Sequence, residues 1–307
     1  MSRNTQYHYL RLPTRIDDES DSHHYHQIAY TDWGDPDNSH IVLCAHGLTR
    51  NCRDFDFLAA ALESDFRVIG VDMVGRGRSE WLRDAIGYNS PLVYLSDFEN
   101  LLRHICVRHG STIKLYWVGV SMGGLLGLLL AARAHCPIAI QALVISDIGP
   151  FIPATTLKPF ADYVGKSPKF NDLNELEGYL RRLSAASGEI TDAQWHHLAK
   201  HNARRYADGT VGLRYDPAIS ICFRPDIVKD IDLWTYWDHL DIPVLVLRGK
   251  ESDILPAPLA IKMSERHTDT EIIELEGVGH APLLIDSRQI QMVRNFLLQC
   301  KSHKSRE

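Results

Sequence analysis

The chain has 307 residues, of which 45% are apolar and 23% charged, and its formal net charge is -6. That length holds one large domain, or a core domain with an insertion, with enough apolar material for a sizeable core. The negative balance argues against a polyanion-binding surface, so nucleic acid is not an expected partner.

The N-terminal stretch MSRNTQYHYLRLPTRIDDESDSHHYHQ is polar and charged and lacks the apolar centre of a secretory signal. YHYLRLP and HQIAYTDWG read as two strands around an acidic turn, which would add an antiparallel edge to a sheet. HIVLCAHG, FRVIGVDM, LYWVGVS, IQALVISDIG, PVLVLRGKE and TEIIELEGVGH follow as further strands. Most are near-continuous apolar runs, as buried parallel strands are. Helical patterns separate them at residues 55–62, 91–108, 122–135, 256–266 and 285–300. Such alternation predicts an α/β fold with a mostly parallel central sheet flanked by helices.

The alternation breaks between Ile148 and Trp237. LNELEGYLRRLSAAS has apolar positions at helical spacing, and ITDAQWHHLAKHNARRYA opens with Thr191 and Asp192 as N-cap candidates. The expected organisation is a core made of residues 1–147 and 238–307, with a helical insertion at 148–237. The six cysteines (Cys44, Cys52, Cys106, Cys136, Cys222 and Cys300) have no paired spacing and read as reduced thiols of a cytoplasmic protein. No HExxH or paired CxxC spacing occurs, so neither a metal nor a cofactor is expected.

The uncharged run LYWVGVSMGGLLGLLLAA, residues 115–132, has the length at which a membrane span is first considered. Its first part favours strand and its second part helix, and four glycines interrupt it, so no span is expected. Instead Gly119-Val120-Ser121-Met122-Gly123 fits G-x-S-x-G between a strand and a helix, the context in which that motif exposes a nucleophilic serine. A serine hydroxyl needs a base. His280, in the Gly-rich turn GVGHAP after the last strand, is the candidate. The imidazole needs an acid to fix its tautomer. Asp253, in LRGKESDILP, is favoured on the chain order serine, acid, histidine. Glu251 and Asp147 are the alternatives, Asp147 otherwise reading as a turn residue at the start of the insertion. AHGLTR follows the strand HIVLC, where Gly47 lets the chain turn. The backbone N–H groups of Leu48 and Met122 are the expected oxyanion donors.

The ordered motifs AHGLTR, VDMVGRGRS, GVSMGG and GVGHAP, with RGKESD between the last two, resemble the α/β-hydrolase superfamily over residues 27–300. The resemblance implies a helical cap over the active site. In VDMVGRGRS it implies structural roles for Asp72, Gly75, Gly77 and Ser79 in a tight turn. A serine nucleophile argues against epoxide hydrolases and haloalkane dehalogenases, and the glycine-free loop LTRNCRDF against C–C bond hydrolases. The expected activity is hydrolysis of a small-molecule carboxylic ester through an acyl-enzyme. Lactone, thioester or C–C bond hydrolysis, or ligand binding without turnover, are the alternatives. Aromatic residues of the insertion (Phe151, Phe160, Tyr163, Phe170, Trp195, Trp234, Tyr236 and Trp237) either line its pocket or, by default, pack it onto the core. Arg50 is a candidate contact for a substrate carboxylate, or a solvated loop residue.

Overall fold

The computed structural model describes residues 6–15, 24–107, 112–133 and 136–303. The acidic turn expected between the first two strands, and the predicted helix ends at Arg108 and His135, lie outside the described residues.

Eight strands share one sheet: β1 (Tyr7–Pro13), β2 (Tyr25–Trp33), β3 (His40–Ala45), β4 (Arg67–Asp72), β5 (Lys114–Val120), β6 (Ile140–Ser146), β7 (Val244–Gly249) and β8 (Thr270–Leu275). Their order is β1-β2-β4-β3-β5-β6-β7-β8. β2 is antiparallel to β1 and β4, which gives the expected antiparallel edge. All other pairings are parallel. Ala45 pairs with Gly119, and Val120 with Ser146. The carboxyl ends of β3, β5 and β6 therefore lie level, and residues 46–48, 121 and 147 leave the sheet side by side.

The α-helices of seven residues or more among the described residues are α1 (Asp56–Leu62), α2 (Pro91–Cys106), α3 (Met122–Ala131), α4 (Leu173–Leu183), α5 (Asp192–Asn202), α6 (Ala257–Arg266) and α7 (Ser287–His303). Alternation along β3 sorts them onto two faces. Ile41, Leu43 and Ala45 join a core with Phe98 and Leu101 of α2, Leu126 and Leu130 of α3, and Met263 of α6. Val42 and Cys44 join the opposite core with Leu58 and Leu62 of α1, and Val293 and Leu297 of α7. Both faces of the central strands are thus covered, which is why those strands read as continuous apolar runs. Each buried Val, Leu or Ile contributes about 1.5–3 kcal/mol.

The uncharged run divides as expected into β5 and α3. No helix among the described residues is long and apolar enough to cross a membrane.

Residues 148–237 hold more strand than expected. Beside α4 and α5 they form a three-stranded sheet of Lys169–Phe170, Ala203–Arg205 and Val211–Leu213, and a two-residue ladder between Phe151–Ile152 and Ile231–Asp232. Strands of two or three residues are too short to show an alternation. Thr191 caps α5 in a reciprocal capping box with Gln194, and Asp172 caps α4. Leu176 and Leu180 of α4 and Trp195 and Leu198 of α5 pack with Leu283 and Ile285, which follow His280 in the chain.

Candidate active site

Ser121 joins β5 to α3 with φ 50° and ψ −115°, a left-handed conformation that a non-glycine residue adopts only under tertiary constraint. The constraint comes from close packing on both sides. A methyl group on Gly119 would meet the carbonyl oxygen of Gly123, and one on Gly123 would meet that of Ala45. The Ser121 N–H donates to Ser146 O at 2.9 Å, and its carbonyl accepts from Gly124 N–H at 2.8 Å. The hydroxyl is left partly exposed at the carboxyl end of the sheet.

His280 meets it there, with Ser121 Oγ and His280 Nε2 2.9 Å apart. The histidine loop is anchored on two sides: Ser146 Oγ donates to Pro282 O at 2.8 Å, and Gly279 N–H donates to Ala186 O at 2.8 Å. The other ring nitrogen, Nδ1, lies 2.8 Å from Asp147 Oδ2. A carboxylate only accepts, so it holds the proton on Nδ1 and turns the Nε2 lone pair to the serine.

The placement expected for Asp253 is therefore corrected. Asp253 is exposed, as is Glu251, and the carboxylate on the imidazole is that of Asp147, which has 0% exposure. The loop after β7 approaches through a different residue. Ser252 N–H closes a turn onto Gly249 O at 3.0 Å, which carries the Ser252 side chain inward. Ser252 Oγ accepts from the N–H groups of Ile254 (3.2 Å) and Leu255 (3.1 Å) and donates its proton to Asp147 Oδ2 at 2.5 Å. Gly249 N–H donates to Asp147 Oδ1 at 2.8 Å. The buried carboxylate thus accepts from a backbone N–H, a hydroxyl and the imidazole. Reasoning from the sequence missed Ser252, for which no motif is diagnostic.

The loop after β3 is held just as firmly. Gly47 O accepts from Arg50 N–H at 3.1 Å, closing a turn over residues 47–50, and from His46 Nδ1 at 2.7 Å. His46 Nε2 accepts from Met73 N–H at 3.0 Å, which fixes the tautomer. Burial pulls the His46 pKa down to about 3, so the ring is neutral near pH 7. Leu48 stands second in the turn, so its N–H is not the one that closes it. Met122 is the first residue of α3, so its N–H has no acceptor within the helix. Both residues line the same cavity as Ser121. Arg50 is not solvated: Nε and Nη2 donate to the two oxygens of Asp54 at 2.6 and 3.0 Å.

Two cavities meet at Leu48, Ser121, Phe160 and His280. The larger, about 420 Å³, is lined mainly by apolar side chains, among them Met122, Leu125, Ile152, Phe223 and Leu233. The smaller, about 230 Å³, brings in Arg50, Tyr163, Tyr179, Asn202 and Tyr215. Burial raises the Tyr163 pKa, which keeps its hydroxyl a donor. Phe160 stands between the cavities, stacked on Phe223 at 5.5 Å and edge-on to His280 at 6.5 Å. Of the insertion aromatics singled out in the sequence, only Phe160 and Tyr163 line these two cavities. Trp237, for example, is fully buried and donates to Met263 O.

Asp72 is buried, with its carboxylate accepting from Cys52 N–H (2.7 Å) and Arg78 N–H (2.8 Å), and Ser79 Oγ donates to its carbonyl. These contacts brace the turn. Away from both cavities, Asp56, His197 and His201 bring possible ligand atoms within 4.8 Å of one another. Arg53 Nε already lies 2.8 and 2.7 Å from the two Asp56 oxygens, so that carboxylate has a cation.

A hydroxyl, an imidazole and a buried carboxylate in line are suited to nucleophilic acyl transfer. Relatives of known sequence fit that chemistry. Residues 41–293 match the model of the alpha/beta hydrolase family. A 3-hydroxybutyrate-oligomer hydrolase of Cupriavidus necator is 38% identical over 279 residues, spanning 88% of this chain and 92% of that protein. A pimeloyl-[acyl-carrier protein] methyl ester esterase of Sodalis glossinidius is 26% identical, spanning 79% of this chain and 87% of its own length. Among solved structures, a putative hydrolase from Rickettsia typhi superposes with a TM-score of 0.86 at 31% identity, covering 96% of this chain and 99% of that one. The match to the family model over most of its length, together with these relatives, places the chain in the alpha/beta hydrolase family.

Proposed function

We propose that this protein is a serine hydrolase of carboxylic esters, with Ser121 as nucleophile, His280 as general base and acid, and Asp147 as the carboxylate that orients the imidazole. The observation that carries the reading is the continuous contact from Ser121 Oγ to His280 (2.9 Å) and from His280 to the buried Asp147 (2.8 Å). In the acylation half, His280 Nε2 takes the hydroxyl proton as Oγ attacks the ester carbonyl. The N–H groups of Leu48 and Met122 hold the oxyanion that forms. His280 then gives the proton to the leaving alcohol as the C–O bond breaks. Water repeats the sequence on the acyl-enzyme and releases the acid. No other group is required.

Residues 148–237 act as a cap: they supply Phe160, Phe223 and Tyr163 to the two cavities that meet at Ser121. An apolar cavity joined to a more polar one suits an ester whose two sides differ in polarity. The 38% identity to a 3-hydroxybutyrate-oligomer hydrolase supports oligoesters of short hydroxy acids as the substrate class.

Two measurements test this. Hydrolysis of 3-hydroxybutyrate dimer and trimer, and of p-nitrophenyl esters of graded length, is followed for the wild type and Ser121→Ala. A fluorophosphonate probe is expected to label the wild type only. Equal rates in the two proteins would remove Ser121 from the mechanism, and turnover of p-nitrophenyl esters without any of the oligoesters would remove the substrate class.

A further inference from the structure

Arg76, in the loop after β4, has 0% exposure. Its guanidinium donates from Nε to Leu48 O at 2.8 Å, and from Nη1 to Val74 O at 2.8 Å and to the Tyr94 hydroxyl at 2.9 Å. Nη2 reaches Met122 Sδ at 3.9 Å. The rings of Tyr88 and Tyr94 lie below it, at 5.6 and 5.3 Å. Among the described residues it forms no ion pair. The Asp216 carboxylate accepts from the Tyr88 hydroxyl at 2.7 Å and forms no hydrogen bond with Arg76. Every direct acceptor of this buried cation is neutral.

Removing a guanidinium from water is costly, and buried charges are ordinarily paired with an opposite charge. Here the cation bridges the two residues proposed above to supply the oxyanion N–H groups, touching Leu48 through its carbonyl and Met122 through its sulfur. The peptide that carries the Leu48 N–H is held at Gly47 O by His46 and Arg50 N–H, and Arg76 holds the next peptide at Leu48 O. The loop itself cannot drift, because Gly77 N–H donates to Arg214 O at 3.0 Å and Asp216 N–H donates to Gly75 O at 2.7 Å.

We propose that Arg76 is a positioning residue for acyl transfer: it holds the Leu48–Thr49 peptide, the one after the Leu48 N–H, and supplies a buried positive charge, without an ion-pair partner among the described residues, that is matched when negative charge develops on the substrate oxygen. This rests on the serine-hydrolase reading above. Charge fixed in place before reaction stabilises a developing oxyanion without reorganisation, so the effect belongs in kcat rather than KM.

The test compares wild type, Arg76→Met and Arg76→Lys on p-nitrophenyl butanoate, with inhibition by a trifluoromethyl ketone whose adduct carries the oxyanion. Arg76→Met is expected to lower kcat by about 10- to 100-fold with KM within about threefold, and to weaken the ketone by the same factor as kcat. Arg76→Lys restores a titratable cation, though a buried ammonium loses charge readily and cannot reach every acceptor, so it is expected to lose less kcat than Arg76→Met and to recover toward wild type as the pH is lowered from about 9 to about 7. Unchanged kcat in folded Arg76→Met, equal losses in the Met and Lys proteins, or a loss confined to KM would each overturn the proposal. Should Arg76→Met fail to fold, Arg76→Gln carries the same expectation. Ser121→Ala, run alongside, separates the two readings: its activity must vanish whatever Arg76 does.

Discussion

Replacing Asp147 by asparagine changes one atom of a group that accepts three hydrogen bonds. In the wild type Oδ1 accepts from Gly249 N–H, and Oδ2 accepts from both Ser252 Oγ and His280 Nδ1. An asparagine can satisfy one side only. With its oxygen toward His280 and Ser252, its amide group faces the Gly249 N–H, donor against donor. With its amide toward them, it meets the Ser252 proton and forces His280 to accept at Nδ1. The imidazole proton then sits on Nε2, pointing at Ser121 Oγ, and the base is lost. Ser252 cannot relieve the clash, because its lone pairs already face the N–H groups of Ile254 and Leu255. The same substitution in a serine protease triad costs about 10⁴ in kcat through the wrong tautomer. Three donors converge on Asp147 and none is exposed, so we expect a comparable loss here, about 10³- to 10⁴-fold, or about 4–5.5 kcal/mol of barrier. The assay is kcat on p-nitrophenyl butanoate, with circular dichroism to confirm folding. Asp253→Asn is expected to stay within about twofold of wild type, as exposed substitutions do. A folded Asp147→Asn protein within tenfold of wild type, or an Asp253→Asn protein that loses as much, would refute the assignment.

Three further outcomes follow from the geometry. Ser252→Ala removes one donor from the buried carboxylate and leaves two backbone N–H groups without their acceptor, so kcat is expected to fall about tenfold and the melting temperature with it. A wild-type rate would show that Gly249 N–H and His280 suffice to hold Asp147. Phe160→Ala removes the ring that stands between the two cavities, and the ratio of kcat/KM for long over short p-nitrophenyl esters is expected to rise about tenfold; an unchanged ratio would mean that Phe160 does not limit the pocket. His46 is neutral in the fold with a pKa of about 3 against an ordinary 6.5, so its contribution to stability is complete above pH 6.5 and is lost as the pH falls toward 3. At pH 5 that loss is about 2 kcal/mol. Urea unfolding at pH 7.5 and pH 5 should show it in the wild type and not in His46→Gln, and parallel pH dependences would count against it.

Much of the fold was legible because burial leaves a mark on local sequence. β3, β5 and β6 are covered on both faces, so their residues are apolar without alternation, and the glycines at 119 and 123 stand where strand and helix backbones touch. The serine turn is visible for the same reason: the close approach admits no side chain, and the helix starts at once. The insertion was less legible. Its ladders of two or three residues, such as Phe151–Ile152 with Ile231–Asp232, join positions about 80 apart in the chain and contain too few residues to show a period. The larger cavity is similarly dispersed, drawing on Tyr88, Leu125, Cys222 and Leu233, which share no motif.

The carboxylate that meets His280 shows where a chain-order argument stops. Asp147 and Asp253 both fall between Ser121 and His280, both follow a parallel strand, and β6 and β7 are neighbours in the sheet. Sequence order is therefore satisfied by either. What separates them is the direction of one side chain. The turn from Gly249 to Ser252 points residue 252 at the imidazole side and leaves residue 253 outside, while Asp147, held at φ 53°, turns in from the adjacent strand. Because Ser252 and Gly249 N–H donate to Asp147, the β7 loop still serves the same carboxylate, now as its support rather than its source. The dipeptide Ser252-Asp253 thus carries a donor facing in and a carboxylate facing water, a difference of one residue in a turn that no period or propensity encodes. It follows that the two loops act as one unit: a substitution that shifts the β7 turn, though remote from the nucleophile in sequence, is expected to lower activity through Asp147 rather than through Asp253.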